Sequence, residues 1–168
     1  MANPAKPAHY LPIYERLLAP YRDEPLTLLE LGVHKGESLL FWRELLPAAR
    51  IIGIDTNTDL VPAMPPGIEV VRGDAADAAL LARYSPDVVV DDASHRWNDQ
   101  QASWAALWPR TTRLYVIEDL ELCYLPQSEW AVGRNTMDWL MGEVRAMHLG
   151  HAGMASITFH RGLAVMAK

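Results

Sequence analysis

The feature that most limits the fold is an alternation. Short apolar runs, each closing on an acid, take turns with segments of helical spacing. The runs are LTLLEL (26–31), RIIGID (50–55), GIEVVRGD (67–74), PDVVVDD (86–92) and RLYVIED (113–119). Between and after them, residues 38–47, 77–84, 97–108 and 136–150 space their apolar side chains as helices do. Strands that alternate with helices form parallel sheets with helical crossovers. Near-continuous apolar runs fit strands covered on both faces. The closing runs, ASITFH and LAVMAK, are separated only by Arg161 and Gly162. So short a link makes an antiparallel hairpin, because a parallel pair needs a crossover of a dozen or more residues. The sequence therefore predicts a doubly wound α/β domain: seven strands, mostly parallel, with an antiparallel C-terminal hairpin.

The 168 residues fit one domain. A chain of this size buries roughly 68–70% of its unfolded surface, enough for a core without staples. Residues 1–25 read as an N-terminal cap segment and helix, and 26–168 as the main domain. The stretch 2–8 carries Pro4 and Pro7 and is expected to fray. Leu11, Tyr14, Leu17 and Leu18 then follow helical spacing. Pro12 sits near the start, where a missing N–H is harmless, and Pro20 lies at the end. Cys123 is the single cysteine, which excludes an intrachain disulfide and fits a reducing, cytoplasmic setting. No apolar run approaches membrane length, and the N-terminus lacks a signal-like apolar core, so no membrane partner is expected. A formal net charge of −6, with no basic run longer than two residues, argues against nucleic acid. The oligomeric state stays open, a homo-oligomer included.

In open α/β sheets, ligands bind beyond the carboxyl ends of the strands. Glu30, Asp55, Asp74, the pair Asp91 and Asp92, and the pair Glu118 and Asp119 all fall at such ends. Singly, Asp74 or Asp77 reads equally well as a helix cap or a solvated loop residue, and Asp77 is a plausible N-cap. Together the strand-end acids would crowd one rim, and their repulsion would raise some pKa values unless cations or donors intervene. The first rim loop, ELGVHKGES (30–38), brackets its turn with Gly32 and Gly36, where the backbone can approach a ligand closely. It is neither GxGxxG nor a phosphate loop, which disfavours pyrophosphate and NTP binding. Glu30 would suit an amino group, Asp55 a pair of ribose hydroxyls, and GDAAD (73–77) an adenine edge.

This ordered set resembles the class I S-adenosylmethionine-dependent methyltransferases, over about residues 26–168. The resemblance implies a Rossmann-like methyltransferase fold, with S-adenosylmethionine held by Glu30, Gly32, Val33, Gly36, Ser38, Asp55, Thr56, Asp74, Ala75 and Asp91. The stretch DDASH (91–95), with YVIEDL (115–120) after it, is more specific. It resembles the metal-dependent sugar O-methyltransferases of the macrocin and mycinamicin type, and the cephalosporin-hydroxylase-like group. That resemblance implies one Mg²⁺, or another hard divalent cation, on Asp92, Glu118 and Asp119. It makes His95 the general base and places Asp91 nearer the cofactor. The chemistry agrees: a sugar hydroxyl is too weak an acid to ionise unaided, and a hard cation with oxygen ligands lowers such a pKa. An imidazole accepts a proton near neutrality. The bland reading of His95 is a residue at the start of a helix, with Ser94 as the cap.

Two departures stand out. Ala93 replaces a glycine that the family pattern carries, which would matter if that position needs a positive φ. PRTTRLYVIED (109–119) lacks the Gly-Gly turn that often precedes the fifth strand. At this length the chain is also expected to lack the extra N-terminal domain of some members. Segment 120–135 is long for a loop and reads as a lid over the acceptor, a glycosylated or hydroxylated metabolite. There Tyr124 and Trp130, with Trp97, would offer flat faces to a ring. Trp104, Trp108 and Trp139 read as packing residues, while Tyr10 and Tyr14 are expected to lie across the cofactor cleft. A catechol-type methyltransferase is one alternative, disfavoured because VIED differs from that family's Asp-Asn ending. Another is a methyltransferase fold reused for a non-methylating or non-catalytic role.

Overall fold

The computed structural model describes residues 5–125 and 129–168. Seven strands form one sheet: β1 (Thr27–Leu31), β2 (Arg50–Asp55), β3 (Ile68–Arg72), β4 (Val88–Asp91), β5 (Leu114–Ile117), β6 (Ser156–His160) and β7 (Leu163–Ala167). Their order is β3-β2-β1-β4-β5-β7-β6. The first five strands run parallel, and β7 pairs antiparallel with both β5 and β6. The antiparallel strand therefore lies one place in from the edge, and β6 is the edge strand.

Among the described residues the α-helices are α1 (Leu11–Leu18), α2 (Glu37–Leu45), α3 (Ala78–Leu81), α4 (Trp97–Leu107) and α5 (Thr136–His148). Asp77 caps α3 by accepting from the backbone N–H groups of Ala79 and Leu80. Asn135 caps α5 in the same way, accepting from Met137 and Asp138. Helix α3 is shorter than the spacing predicts, ending at Leu81 rather than running to Tyr84.

The period of two along each strand sorts the core into two layers. On one face Leu28, Ile51, Val88, Val90 and Val116 pack under Tyr10, Tyr14, Leu39 and Trp42 of α1 and α2. On the other, Leu29, Ile52, Val89, Tyr115 and Ile117 pack under Trp97, Leu107, Trp139 and Leu140 of α4 and α5. The Trp104 ring stacks near Trp108 at 5.9 Å and meets Trp139 edge-on at 5.0 Å, so these three indoles are packing residues. The same parity fixes where the rim acids go. Glu30 and Glu118 continue the α1–α2 face, while Asp91 continues the α4–α5 face.

The strand order reverses direction between β1 and β4, which leaves a crevice beyond their carboxyl ends. A cavity of about 370 Å³ opens there.

Candidate active site

Two loops form the cavity's inner wall by touching. Gly32 follows β1 with φ +80°, and a Cβ on it would lie 2.1 Å from the carbonyl oxygen of Asp92. Only glycine permits both that φ and that approach. Asp55, at the end of β2, then pins the loop. Its Oδ2 accepts from the N–H groups of Val33 and His34 at 2.8 and 2.9 Å, and its Oδ1 accepts from Asn57 at 2.9 Å. Burial works to raise the Asp55 carboxyl, but these backbone donors outweigh it and hold the group below its ordinary value.

Gly32, Val33, Ser38, Asp55, Thr56, Asp74, Ala75, Asp92 and His95 all line this cavity. Glu30 lies fully buried beneath it and accepts a 2.7 Å bond from Ser38 Oγ. Glu30 is therefore not in the cavity lining, and two more residues expected at the cofactor, Gly36 and Asp91, are not either. Gly36 is the N-cap of α2, at φ +80°, and faces Met64 and Val61 rather than the cavity. Asp91 points to the opposite face of the sheet, where Ser103 Oγ and Tyr115 Oη donate to its Oδ2 at 2.5 and 3.0 Å. Burial pushes its carboxyl up to about 6, against the pull of those two donors. The parity of β4 dictates this placement.

The remaining acids divide into an inner and an outer group. The inner group closes on Lys6, in the stretch expected to fray. Lys6 Nζ lies 3.0 Å from Glu30 Oε1, 2.6 Å from Asp92 Oδ2 and 2.9 Å from Glu118 Oε1, and its side chain is 2% exposed. Trp42 presents its ring 5.6 Å from the ammonium. Burial works to lower the pKa of this lysine, but the three carboxylates together hold it well above the usual value. Burial likewise raises Glu30 and Glu118, with Lys6 offsetting part of the effect on each. Tyr14 Oη donates to Glu118 Oε1 at 2.5 Å, and the amide of Gln100 bonds the Glu118 carbonyl at 3.4 Å.

The outer group is Asp92, His95 and Asp119, whose candidate ligand atoms lie within 4.8 Å of one another. His95 Nε2 stands 3.5 Å from Asp119 Oδ2 and 4.0 Å from Asp92 Oδ1. All three side chains are partly exposed. Glu118 does not join this cluster, because its side chain turns inward to Lys6 and Tyr14. His95 and Asp119 both adopt φ +57°, a region costly for residues with a Cβ. Strain of this kind persists where surroundings over-determine the backbone, and it clusters at ligand sites. Ala93 is not among the positive-φ residues, so its alanine carries no such cost. Two carboxylates and an imidazole converging on one point, partly open to solvent, fit a hard divalent cation. Among the described residues, the buried His95 Nδ1 has no hydrogen-bond partner.

Helix α1 reaches this machinery from the core side: Tyr10 and Tyr14, expected across the cofactor cleft, do not line the cavity and pack instead on the sheet. Both are fully buried. Tyr10 Oη donates to Asp119 Oδ1 at 3.0 Å and also lies 3.2 Å from the carbonyl oxygen of Gly162 in the β6–β7 turn. The aromatic residues expected at the acceptor are dispersed. Trp97 is packed into the α4–α5 core and Trp130 is half-buried, its carbonyl accepting from the Trp97 N–H. Only Tyr124, 70% exposed, shows a broad face to solvent. Leu120–Tyr124 form a 3-10 helix, and residues 126–128 of the expected lid lie outside the described residues. What the sequence reading missed is Lys6. The signal was available as charge balance: five acidic strand ends on one rim call for a cation, and α1 delivers the chain just before it.

No family model matches the chain. It is 37% identical over 131 residues to mycinamicin VI 2''-O-methyltransferase of Micromonospora griseorubida, covering 70% of this chain and 33% of that protein. It is 29% identical to 8-demethyl-8-(2-methoxy-alpha-L-rhamnosyl)-tetracenomycin-C 3'-O-methyltransferase of Streptomyces olivaceus, covering 95% of this chain and 49% of that one. The chain thus spans half the length, or less, of these curated relatives. Among solved structures, the MycE methyltransferase in complex with Mg, SAH and mycinamycin VI superposes with a TM-score of 0.82 at 26% identity, covering 94% of this chain and 48% of that one. A caffeoyl-CoA O-methyltransferase-like structure from Staphylococcus aureus, at 12% identity and a TM-score of 0.67, shares the fold. By strand order, rim geometry and these relationships, the chain belongs to the class I methyltransferase family and is homologous to the sugar O-methyltransferases of the mycinamicin and macrocin type.

Proposed function

We propose that the protein is an S-adenosylmethionine- and divalent-metal-dependent O-methyltransferase whose acceptor is a hydroxyl on a glycosylated natural product. The observation that carries this reading is the Asp92–His95–Asp119 cluster, of which Asp92 and His95 line the rim cavity. The names of the curated relatives support the acceptor class, and the Mg and SAH bound to MycE support the cofactors.

The donor fits the cavity's chemistry. Asp55 and Thr56 present oxygens for ribose hydroxyls, Asp74 and Ala75 border an adenine subsite, and Gly32 lets the backbone come close. When bound, the donor supplies an electrophilic methyl and a hard cation supplies Lewis acidity that lowers the hydroxyl's pKa. Asp92 and Asp119 would hold the cation through one oxygen each. His95 takes the hydroxyl proton at Nε2, and the wall made by Gly32 and Asp92 fixes the approach of acceptor to donor. Glu118 serves from the inner group, where it is committed to Lys6 and Tyr14.

A second reading makes His95 a third ligand, favoured by the 3.5 Å between its Nε2 and Asp119 Oδ2. His95→Ala separates the two. A base role predicts a rate lower by roughly 10²–10⁴-fold with Mn²⁺ affinity preserved, and ligation predicts loss of Mn²⁺ binding. The function itself is tested by incubating the protein with S-adenosylmethionine and glycosylated macrolide acceptors, with and without chelator. A product heavier by one methylene, formed only with metal, is the expected result. An isomerised acceptor, or full turnover in excess chelator, refutes the proposal.

A further inference from the structure

We infer that Gln100 and Tyr10 are positioning residues that grip the peptide between Glu118 and Asp119 from the two sides of the sheet, and so set where Asp119 presents its carboxylate. The bearing of this clamp on a cation rests on the metal-dependent reading above. The ladders that join β5 to β4 and to β7 both end at Ile117. The N–H of Glu118 still reaches the Asp91 carbonyl at 3.0 Å. The next peptide, from Glu118 to Asp119, is the first that no strand holds. It also carries strain, because Asp119 stands at φ +57° and ψ +37°, in the left-handed region that residues with a Cβ avoid. Without restraint this peptide would turn and carry the Asp119 carboxylate away from His95.

The restraint comes from both sides. On the α1 side the Asp119 N–H donates to Tyr10 Oη at 3.3 Å, and the same hydroxyl donates onward to Asp119 Oδ1 at 3.0 Å. On the α4 side the Glu118 carbonyl accepts from Gln100 Nε2 at 3.4 Å. Gln100 is 3% exposed, and a buried amide is costly unless its polar atoms are paired. The Glu118 carbonyl can only accept, so the amide must turn its NH₂ group there. Its Oε1 then accepts from the fully buried Thr136 Oγ1 at 2.7 Å. Thr136, the first residue of α5, thereby fixes which way the Gln100 amide faces. Helix α4 begins two residues after His95, so Gln100 also ties the helix that follows the base to the peptide that carries the acid. That link sets the 3.5 Å between His95 Nε2 and Asp119 Oδ2. Neither Gln100 nor Tyr10 lines the cavity. Both act through Asp119, not on the reacting atoms.

The test titrates Mn²⁺ and S-adenosylhomocysteine separately into wild type, Gln100→Met, Tyr10→Phe, Thr136→Val and Thr136→Ser. Gln100→Met keeps the side chain's length and removes both polar ends. Its Mn²⁺ affinity is expected to fall by roughly 10–100-fold, the usual loss when a group that orients a metal ligand is removed. Its S-adenosylhomocysteine affinity is expected to match wild type. Tyr10→Phe and Thr136→Val are expected to weaken Mn²⁺ in the same selective way, and Thr136→Ser, which keeps the hydroxyl, to restore it. A merely structural role would leave Mn²⁺ affinity unchanged or weaken both ligands alike, and either pattern overturns the inference. A crystal structure of Gln100→Met gives a readout that needs no metal. Asp119 is expected to leave the left-handed region there, and Asp119 still at a φ near that of wild type overturns the clamp. Wild type that takes up no Mn²⁺ overturns the metal reading, and the crystal structure then decides the clamp by itself. Should Gln100→Met not fold, the contrast between Thr136→Val and Thr136→Ser decides, by the same titrations and the same φ.

Discussion

Gly32→Ala tests the geometry on which the cavity depends. Two costs add. Alanine at φ +80° sits in the left-handed region, at about 1–2 kcal/mol. Its Cβ would also lie 2.1 Å from Asp92 O and 2.7 Å from Ala93 Cα, both backbone atoms that no rotamer change can clear. Opening that contact by more than an ångström is an overpacking defect of about 1–3 kcal/mol. The total, about 2–5 kcal/mol, corresponds to a Tm lower by roughly 4–20 °C for a chain of this size. Gly150→Ala is the control. Gly150 has φ +76° but nothing within 4 Å of the added Cβ, so only the first cost applies. Calorimetric unfolding of both variants is the assay, with S-adenosylhomocysteine titrated into each. The Gly32 variant should unfold below the Gly150 variant and lose ligand affinity that the other keeps. Equal Tm values and equal affinities would refute the idea that the loops after β1 and β4 form the cavity wall by direct contact.

Asp91→Asn should flatten part of the pH dependence of stability. The folded carboxyl titrates at about 6, against an ordinary value of 3.8. Between those limits the native state binds more protons than the unfolded state, so stability falls as pH rises from about 4 to about 6 and holds steady above. At 1.36 kcal/mol per pH unit the loss is about 3 kcal/mol, seen as the wild-type-minus-variant difference in denaturant unfolding; a difference independent of pH contradicts it. Tyr14→Phe removes a donor from a buried carboxylate and should cost about 1.5–3 kcal/mol in the same assay. A change under about 0.5 kcal/mol would mean that α1 is not anchored through Glu118.

The fold was legible because its signals are local. Each apolar run became a strand, and the Arg161–Gly162 link forced the hairpin. The strand parity that separates Asp91 from Glu118 was also present in the sequence. Val89 and Asp91 alternate with Val88 and Val90, and extending that period places Asp91 under α4. A motif read as a block, without its period, hides this. The charge balance of the rim called for a cation, but it did not single out Lys6, because two prolines in seven residues predict fraying there. Its ordering comes from partners more than 20 residues away in sequence, at the ends of β1, β4 and β5. Trp97 illustrates the converse. As an aromatic residue beside a rim motif it looked available to a substrate ring, yet the first turn of α4 buries it against the sheet.

The central claim is that Asp92 and Asp119 receive a divalent cation beside the donor cavity. Its most direct test is the concentration of free Mn²⁺, followed by paramagnetic resonance, as wild type, Asp92→Asn and Asp119→Asn are titrated in the presence of S-adenosylhomocysteine. The account predicts one bound ion in wild type and affinity weakened by about ten-fold or more in each variant, an effect of at least about 1.4 kcal/mol. Wild type that leaves free Mn²⁺ undiminished, or variants that bind it as wild type does, would contradict it.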